Sequence, residues 1–363
     1  MNIPSLTDLT EARWTPAQAH AWCDKLPWLF GTNFNPSTAG NQLEMWQAET
    51  FDPITIDREL GWAASLGMTS QRVFLHDLLW THDRDGFLAR IDIFLGLAAK
   101  HRMGILFVLF DSCWHPHPRL GTQRPPELGV HNSMWVQSPG ALTLRDPRRF
   151  AELGSYVTGL IRHFRSDARI HGWDVWNEPE NDTGNAYATR DHGFGTRKGE
   201  VIAPYLAQTF SWARAAQPMQ PLTSAVWTGD WSSDHSLNSV QRVQLAASDI
   251  ISFHQYAPLA RTQEVASWLT RFERPLWCSE YMARPTGSRF GELLPWFKEQ
   301  RIGAYNWGFV AGRTQTQMPW DSWQTPVVGE PPEWFHEILR PDGTPYREEE
   351  VALMRRLTRE TAT

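Results

Sequence analysis

Short runs rich in Val, Ile, Phe and Trp alternate along this chain with longer stretches of helical period, and the alternation repeats eight times. No other feature narrows the fold as much, because strands separated by helical patterns read as βα units around a parallel sheet. The strand candidates are 29–34, 71–76, 105–110, 170–176, 222–227, 250–254, 276–280 and 304–309. Helices are expected over 55–66, 86–101, 147–165, 200–216, 236–247, 262–271, 289–300 and 347–359. Their punctuation agrees: Asp146 precedes Pro147 as N-cap and first-turn proline, and Gly104 follows the helix that ends near Arg102. Eight such units give an α/β chain in the (β/α)8 TIM-barrel class, with its active site at the C-terminal strand ends.

A length of 363 residues suits one such barrel with elaborated loops, so a single domain over 1–363 is expected. Segment 1–28 reads as an N-terminal helical cap, its helix at 15–24 covering the barrel floor. The loop after the third strand runs from 111 to 146, and long segments also follow the first, fourth and eighth strands. Loops of that length in a compact domain usually build a binding site.

A formal charge of −6 from mixed signs, with pI near 6.1, points away from nucleic acid and anionic membranes as partners. Three cysteines, Cys23, Cys113 and Cys278, have no ligand-like spacing and are expected to be reduced. His115 and His117 in HPHP lack the further donors that a zinc site needs, so no metal and no cofactor are expected. The first residues, MNIPSLTDLTEARW, carry no basic start and no apolar run, which places the expected location in the cytoplasm.

Two strand ends carry the chemistry. The run IHGWDVWNEPEND at 170–182 leaves an apolar strand on Asn177, Glu178 and Pro179, and RPLWCSEYMAR at 274–284 leaves another on Glu280. Asn-Glu-Pro alone is weak, since chance supplies it in roughly one chain in twenty-five of this length. Paired carboxylates at strand ends, beside an amide that can bond a sugar hydroxyl, are what acid-catalysed glycosidic cleavage requires. Twenty Trp reinforce the reading, because indole faces stack on sugar C–H faces. Those at expected strand ends or loops include Trp80, Trp114, Trp135, Trp176, Trp227, Trp231, Trp307, Trp320 and Trp323.

Taken in strand order, the chain resembles clan A of the glycoside hydrolases, most closely family 5 with its cellulases, β-mannanases and β-mannosidases. The resemblance rests on Arg72 in the second strand, Asn177 and Glu178 after the fourth, His254 and Tyr256 after the sixth, Glu280 after the seventh and Trp307 on the eighth. It implies Glu178 as acid/base and Glu280 as nucleophile of a retaining double displacement. Arg72 would lower the pKa of Glu280, Tyr256 would donate to the same carboxylate, and His254 would orient Glu178 or bind substrate. Asn177 would hold the sugar 2-hydroxyl, and Trp307 would floor the reacting ring.

The segment LFDSCWHP departs from the family pattern, with Asp111 and an unusual Cys113 at the third strand end and Trp114 and His115 beyond. Asp111 is expected to touch a sugar hydroxyl or to cap its loop. Glu44, Trp46, His76, Asp77 and Trp227 are further expected groups at the mouth, and Glu44 or Glu49 would contact a terminal sugar. The leading expectation is an exo-acting β-glycosidase on short β-linked oligosaccharides, β-mannoside or β-glucoside first. An endo-acting cellulase, mannanase or xylanase is the alternative enzyme, and a non-catalytic carbohydrate-binding barrel the alternative of another class. Transglycosylation would use the same intermediate, and oligomeric state is left open.

Overall fold

Each of the eight apolar runs contributes a parallel strand. These are β1 Phe30–Asn33, β2 Ser70–Phe74, β3 Gly104–Val108, β4 Ile170–Asp174, β5 Leu222–Thr223, β6 Ile251–Gln255, β7 Leu276–Tyr281 and β8 Gly303–Trp307. A computed structural model describes residues 3–184, 186–187 and 193–359. The ladder runs β5-β4-β3-β2-β1-β8-β7-β6. Its remaining seam is joined by a parallel bridge from Val226 to Phe253, with Val226 N donating to Ser252 O at 3.1 Å and His254 N to Val226 O at 2.9 Å. The result is a (β/α)8 barrel.

Strands covered on both faces need near-continuous apolar sequence, and β3, GILFV, is buried at every position. β5 is shorter than the run 222–227 suggests. Ser224 takes its backbone out of the ladder there: its N–H donates to Ser248 Oγ at 3.2 Å and its hydroxyl to Trp176 O at 2.8 Å.

Helices follow the strands at Pro53–Ser65, Arg84–Lys100, Gly154–Phe164, Lys198–Ala215, Ser239–Ala247, Leu259–Leu269, Phe290–Glu299 and Glu348–Arg359. The helix Gly154–Phe164 shows why they dock: Tyr156, Val157, Leu160, Ile161 and Phe164 form one buried stripe. Each such side chain contributes about 1.5–3 kcal/mol by leaving water. Asp146 caps the shorter helix Pro147–Glu152 as its position before proline predicts.

Helices Leu6–Ala12 and Pro16–Cys23 precede β1, each opened by a capping box at Ser5 or Thr15. Ala19, Trp22 and Cys23 pack with Leu106, Ile250, Trp277 and Tyr305 at the amino ends of the strands. Trp22 Nε1 donates to His171 O at 3.0 Å, so this segment lies against the barrel floor. Among the described residues, no helix is long and apolar enough to cross a membrane.

Candidate active site

The carboxyl ends of the strands open into a cavity of about 590 Å³. Its wall includes Asn177 and Glu178 after β4, His254 and Tyr256 from β6 and its end, Glu280 on β7 and Trp307 on β8. Trp114 and Trp227 also line it. A carboxylate oxygen of Glu178, one of Glu280 and a ring nitrogen of His254 all lie within 4.8 Å of one another.

Arg72, from β2, lies fully buried beneath the cavity and ties its carboxylates together. Its Nη1 donates to Glu280 Oε1 at 2.8 Å and to Asn33 Oδ1 at 2.7 Å. Its Nε and Nη2 reach Asp174 Oδ2 at 3.2 and 2.8 Å, and Nη2 reaches Asn177 Oδ1 at 2.6 Å. One planar guanidinium thus links β1, β2, β4 and β7 through rigid forked donors. Asp174 was not singled out in the sequence, yet it supplies the second carboxylate that makes a buried arginine tenable.

The two glutamates are equally buried but bonded differently. Glu280 accepts from Arg72 on Oε1 and from the Tyr256 hydroxyl on Oε2 at 2.8 Å. Among the described residues Glu178 has no cation in hydrogen-bond contact; Oε1 meets His254 Nδ1 at 2.8 Å, and Oε2 accepts from Asn181 Nδ2 at 2.7 Å and from the Cys113 thiol at 3.3 Å. Burial raises the pKa of both carboxyl groups. Against that, the Arg72 guanidinium pulls Glu280 down through its charge and hydrogen bond, while the Asn181 and Cys113 hydrogen bonds and the more distant charges of Arg72 and Lys198 pull Glu178 down. Arg72 was expected to leave Glu280 low, and desolvation by burial outweighs that pull. Burial pushes the His254 imidazole down to about 4, leaving it neutral at ordinary pH.

Arg72 and several other expected sugar contacts stand away from the cavity wall. Glu44 is gripped by Arg313, whose Nε and Nη2 donate to Oε2 and Oε1 at 3.0 and 2.8 Å, and it also accepts from Gly40 N at 2.8 Å. Trp46 is 0% exposed, packed against Phe51, Phe87 and Phe94, with its Nε1 spent on Phe74 O. His76 is buried as the N-cap of the helix Asp77–His82, accepting from Leu78 N at 3.2 Å. Asp111 stands behind Asn177: its Oδ1 takes Asn177 Nδ2 at 2.9 Å and Cys113 N at 3.1 Å, its Oδ2 Trp135 Nε1 at 2.6 Å and Gln42 Nε2 at 3.2 Å. Those four bonds occupy the carboxylate, so it fixes Asn177 and caps its loop. Asp77 likewise accepts from Ser138 Oγ at 2.7 Å, and Glu49 is exposed.

The wall also holds Asn181 and His131, which no motif singled out, and Trp320, one of the loop tryptophans. Asn181 had a signal, three residues past Glu178 in the same run. Trp320 had only its place in the long final loop; its ring meets Tyr256 edge-on at 5.2 Å. Cys113 was noticed as unusual and not assigned, and it lines the cavity.

Loops after β1, β3 and β8 are knitted together at the rim. Besides the Arg313–Glu44 pair, Asn132 N donates to Thr314 O at 2.8 Å and His131 N to Ser322 Oγ at 2.8 Å. Trp114 stacks on Trp323 with ring centroids 5.5 Å apart. The loop after β4 joins them where Arg124 Nη2 donates to the Tyr187 hydroxyl at 2.7 Å.

The description "Glycosyl hydrolase family 10" belongs to a family model that matches residues 121–246, a stretch that includes Glu178 and ends before Glu280. No curated protein sequence matches the chain significantly. The GH5_18 protein from Streptomyces cattleya, solved in complex with Manβ1-4GlcNAc, is similar at 14% identity and a TM-score of 0.61, over 92% of this chain and 81% of that one. An exo-β-1,4-mannosidase from Opitutaceae bacterium strain TAV5 is similar at 15% identity and a TM-score of 0.59, over 91% of this chain and 59% of that one. The endo-β-1,4-mannanase from Thermotoga petrophila is similar at 13% identity and a TM-score of 0.54, over 92% and 77%. Identities this low speak to the fold. The sequence match over 121–246 reaches the glycosyl hydrolases independently, and the shared barrel agrees with it: this chain is a glycoside hydrolase built on a (β/α)8 barrel.

Proposed function

We propose that the protein is a retaining β-glycosidase that removes single sugars, β-mannosyl or β-glucosyl, from the non-reducing end of short oligosaccharides. The observation that carries this is the unequal bonding of two facing carboxylates. Glu280 is held by a guanidinium and a phenol, which favour its ionised form, whereas the hydrogen-bond partners of Glu178 among the described residues are neutral and tolerate a proton. Oxygens within 4.8 Å suit retention, for which carboxyl groups stand ~5–5.5 Å apart, and leave too little room for the water of an inverting enzyme.

In this reading a Glu280 oxygen attacks the anomeric carbon while the C1–O bond breaks, and the leaving oxygen takes the proton of Glu178. A covalent glycosyl-enzyme remains. Glu178, now a carboxylate, takes a proton from the water that attacks the same carbon, and Glu280 departs. Two inversions restore the β configuration. Trp307 supplies the face on which the sugar stacks, Asn177 approaches its 2-hydroxyl, and Trp114 and Trp227 contact the remaining rings.

Support for exo action comes from the knitted rim, where three loops and the Trp114–Trp323 stack narrow the approach. The structural neighbours that act on or hold β-mannosides make mannose the first sugar to test. The test is turnover of p-nitrophenyl β-glycosides with manno, gluco, galacto and xylo sugars by wild type and Glu178→Gln. Release from one sugar, lost in the variant, is the expected result, and a β-linked hexasaccharide should yield monosaccharide first. Early di- and trisaccharides would assign endo action instead. With azide, Glu280→Ala should give the α-glycosyl azide; a β-azide from that variant would reverse the two roles.

A further inference from the structure

We infer that Cys113 is a positioning residue for the proton carried by Glu178: its S–H and the Asn181 amide both donate to Oε2, so the transferable proton sits on Oε1. The inference rests on the glycosidase reading above and adds to it which oxygen does the work.

The thiol is held in place from several sides. Its backbone N–H is fixed by Asp111 Oδ1 at 3.1 Å, and its sulfur receives the Asn177 and Asn181 amides, each at 3.4 Å. That leaves the S–H free to point at Glu178 Oε2, 3.3 Å away. An oxygen that already accepts two donors has no room for a proton of its own without setting hydrogen against hydrogen. Oε1 has one protein contact among the described residues, the Nδ1 of His254 at 2.8 Å, and a neutral imidazole can accept there.

On cleavage the proton passes from Oε1 to the glycosidic oxygen as that oxygen takes the electron pair of the broken C1–O bond. The new carboxylate charge is then met by the S–H and N–H donors at Oε2. The thiol does not compete as a nucleophile, because burial and the neighbouring Asp111, Glu178 and Glu280 carboxyl groups push its pKa well up.

Removing the S–H should therefore make Glu178 a weaker acid. The other groups that face it stay in place: Arg72 from β2, Asp111 from the loop after β3, His254 from β6, Glu280 from β7, and Glu180 and Lys198 on its own side of the cavity.

The experiment compares wild type, Cys113→Ala and Cys113→Ser on aryl β-glycosides with leaving groups from dinitrophenol to unsubstituted phenol, as kcat/KM against pH. In Cys113→Ala the basic limb should rise by about half to one pH unit. Its kcat/KM should fall roughly tenfold on phenyl glycosides, which need the acid, and little on dinitrophenyl ones, which do not. Cys113→Ser keeps a donor and should retain the wild-type limb. Should the alanine variant fail to fold, Cys113→Val removes the donor at similar volume. A wild-type limb and wild-type leaving-group dependence in a folded Cys113→Ala or Cys113→Val protein would overturn the inference alone. Silence of wild type on every glycoside would sink the glycosidase reading instead. In that case a carbon-13 NMR titration of Glu178, labelled at its carboxyl carbon, still decides the inference: a raised pKa in the variant supports it and an unmoved one refutes it.

Discussion

His254 brings its Nδ1 to within 2.8 Å of Glu178 Oε1. The same nitrogen stands 3.6 Å from Glu280 Oε2, so a single ring atom spaces the two carboxylates. Because burial holds that imidazole neutral, with a pKa of about 4, it should add no limb to the activity profile between pH 5 and 8. His254→Phe should lower kcat by roughly tenfold to a hundredfold with little change in KM, since it disturbs proton placement more than sugar binding. An equal rise in KM with kcat preserved would show that the ring binds substrate instead.

Arg72 allows no conservative exchange. A lysine offers one point charge and cannot span Asn33, Asp174, Asn177 and Glu280 together. Arg72→Met would leave two buried carboxylates without their cation and should cost about 3–5 kcal/mol in denaturant unfolding. With that cation gone, Glu280 should titrate at higher pH, so the acid limb of any residual activity should move upward. A limb that stays put would separate Arg72 from the ionisation of Glu280.

Glu337 offers a test of stability that does not involve catalysis. It is buried, bonded by the Thr316 hydroxyl, and burial raises its pKa from 4.5 to about 7, with Thr316 and Arg284 opposing. A raised acid holds its proton longer folded than unfolded, so the protonated form stabilises the fold below about pH 4.5. That contribution is lost as pH climbs through 7. Glutamine carries no such cost of ionisation. Glu337→Gln should gain on wild type by about 3 kcal/mol between pH 4.5 and 8. Unfolding curves with the same separation at both ends of that range would contradict the assignment.

Arg313 and Glu44 should respond unequally to truncation. The Glu44 side chain is 11% exposed and that of Arg313 38%. Arg313→Ala abandons a mostly buried carboxylate, while Glu44→Ala releases a guanidinium that water can reach. The arginine variant should therefore melt lower, and the loosened rim should let longer products appear from oligosaccharides. Equal melting points for the two variants would mean that Glu44 rehydrates when freed.

The barrel was legible because its signal is distributed: eight apolar runs each carry it, and an error at one, such as the shortened β5, leaves the order intact. The two glutamates were legible because strand direction delivers both to the same mouth. Loop side chains were another matter. Glu44 is paired with a residue 269 positions later, and nothing within its own segment announces Arg313. Trp46 and Trp307 look alike in sequence, yet one fills a space between Phe87 and Phe94 and the other faces the cavity. Asp111 sat at a strand end as the glutamates do, but the indole of Trp135 and the amides of Gln42 and Asn177 reached it first.

The backbone at Glu178 has φ of +43°, a left-handed conformation that a residue with a side chain adopts at a cost of about 1–2 kcal/mol. Glycine or asparagine would occupy that turn with less strain. A population of variants chosen only for surviving heat would thus tend to discard this glutamate early, and one chosen for turnover would keep it.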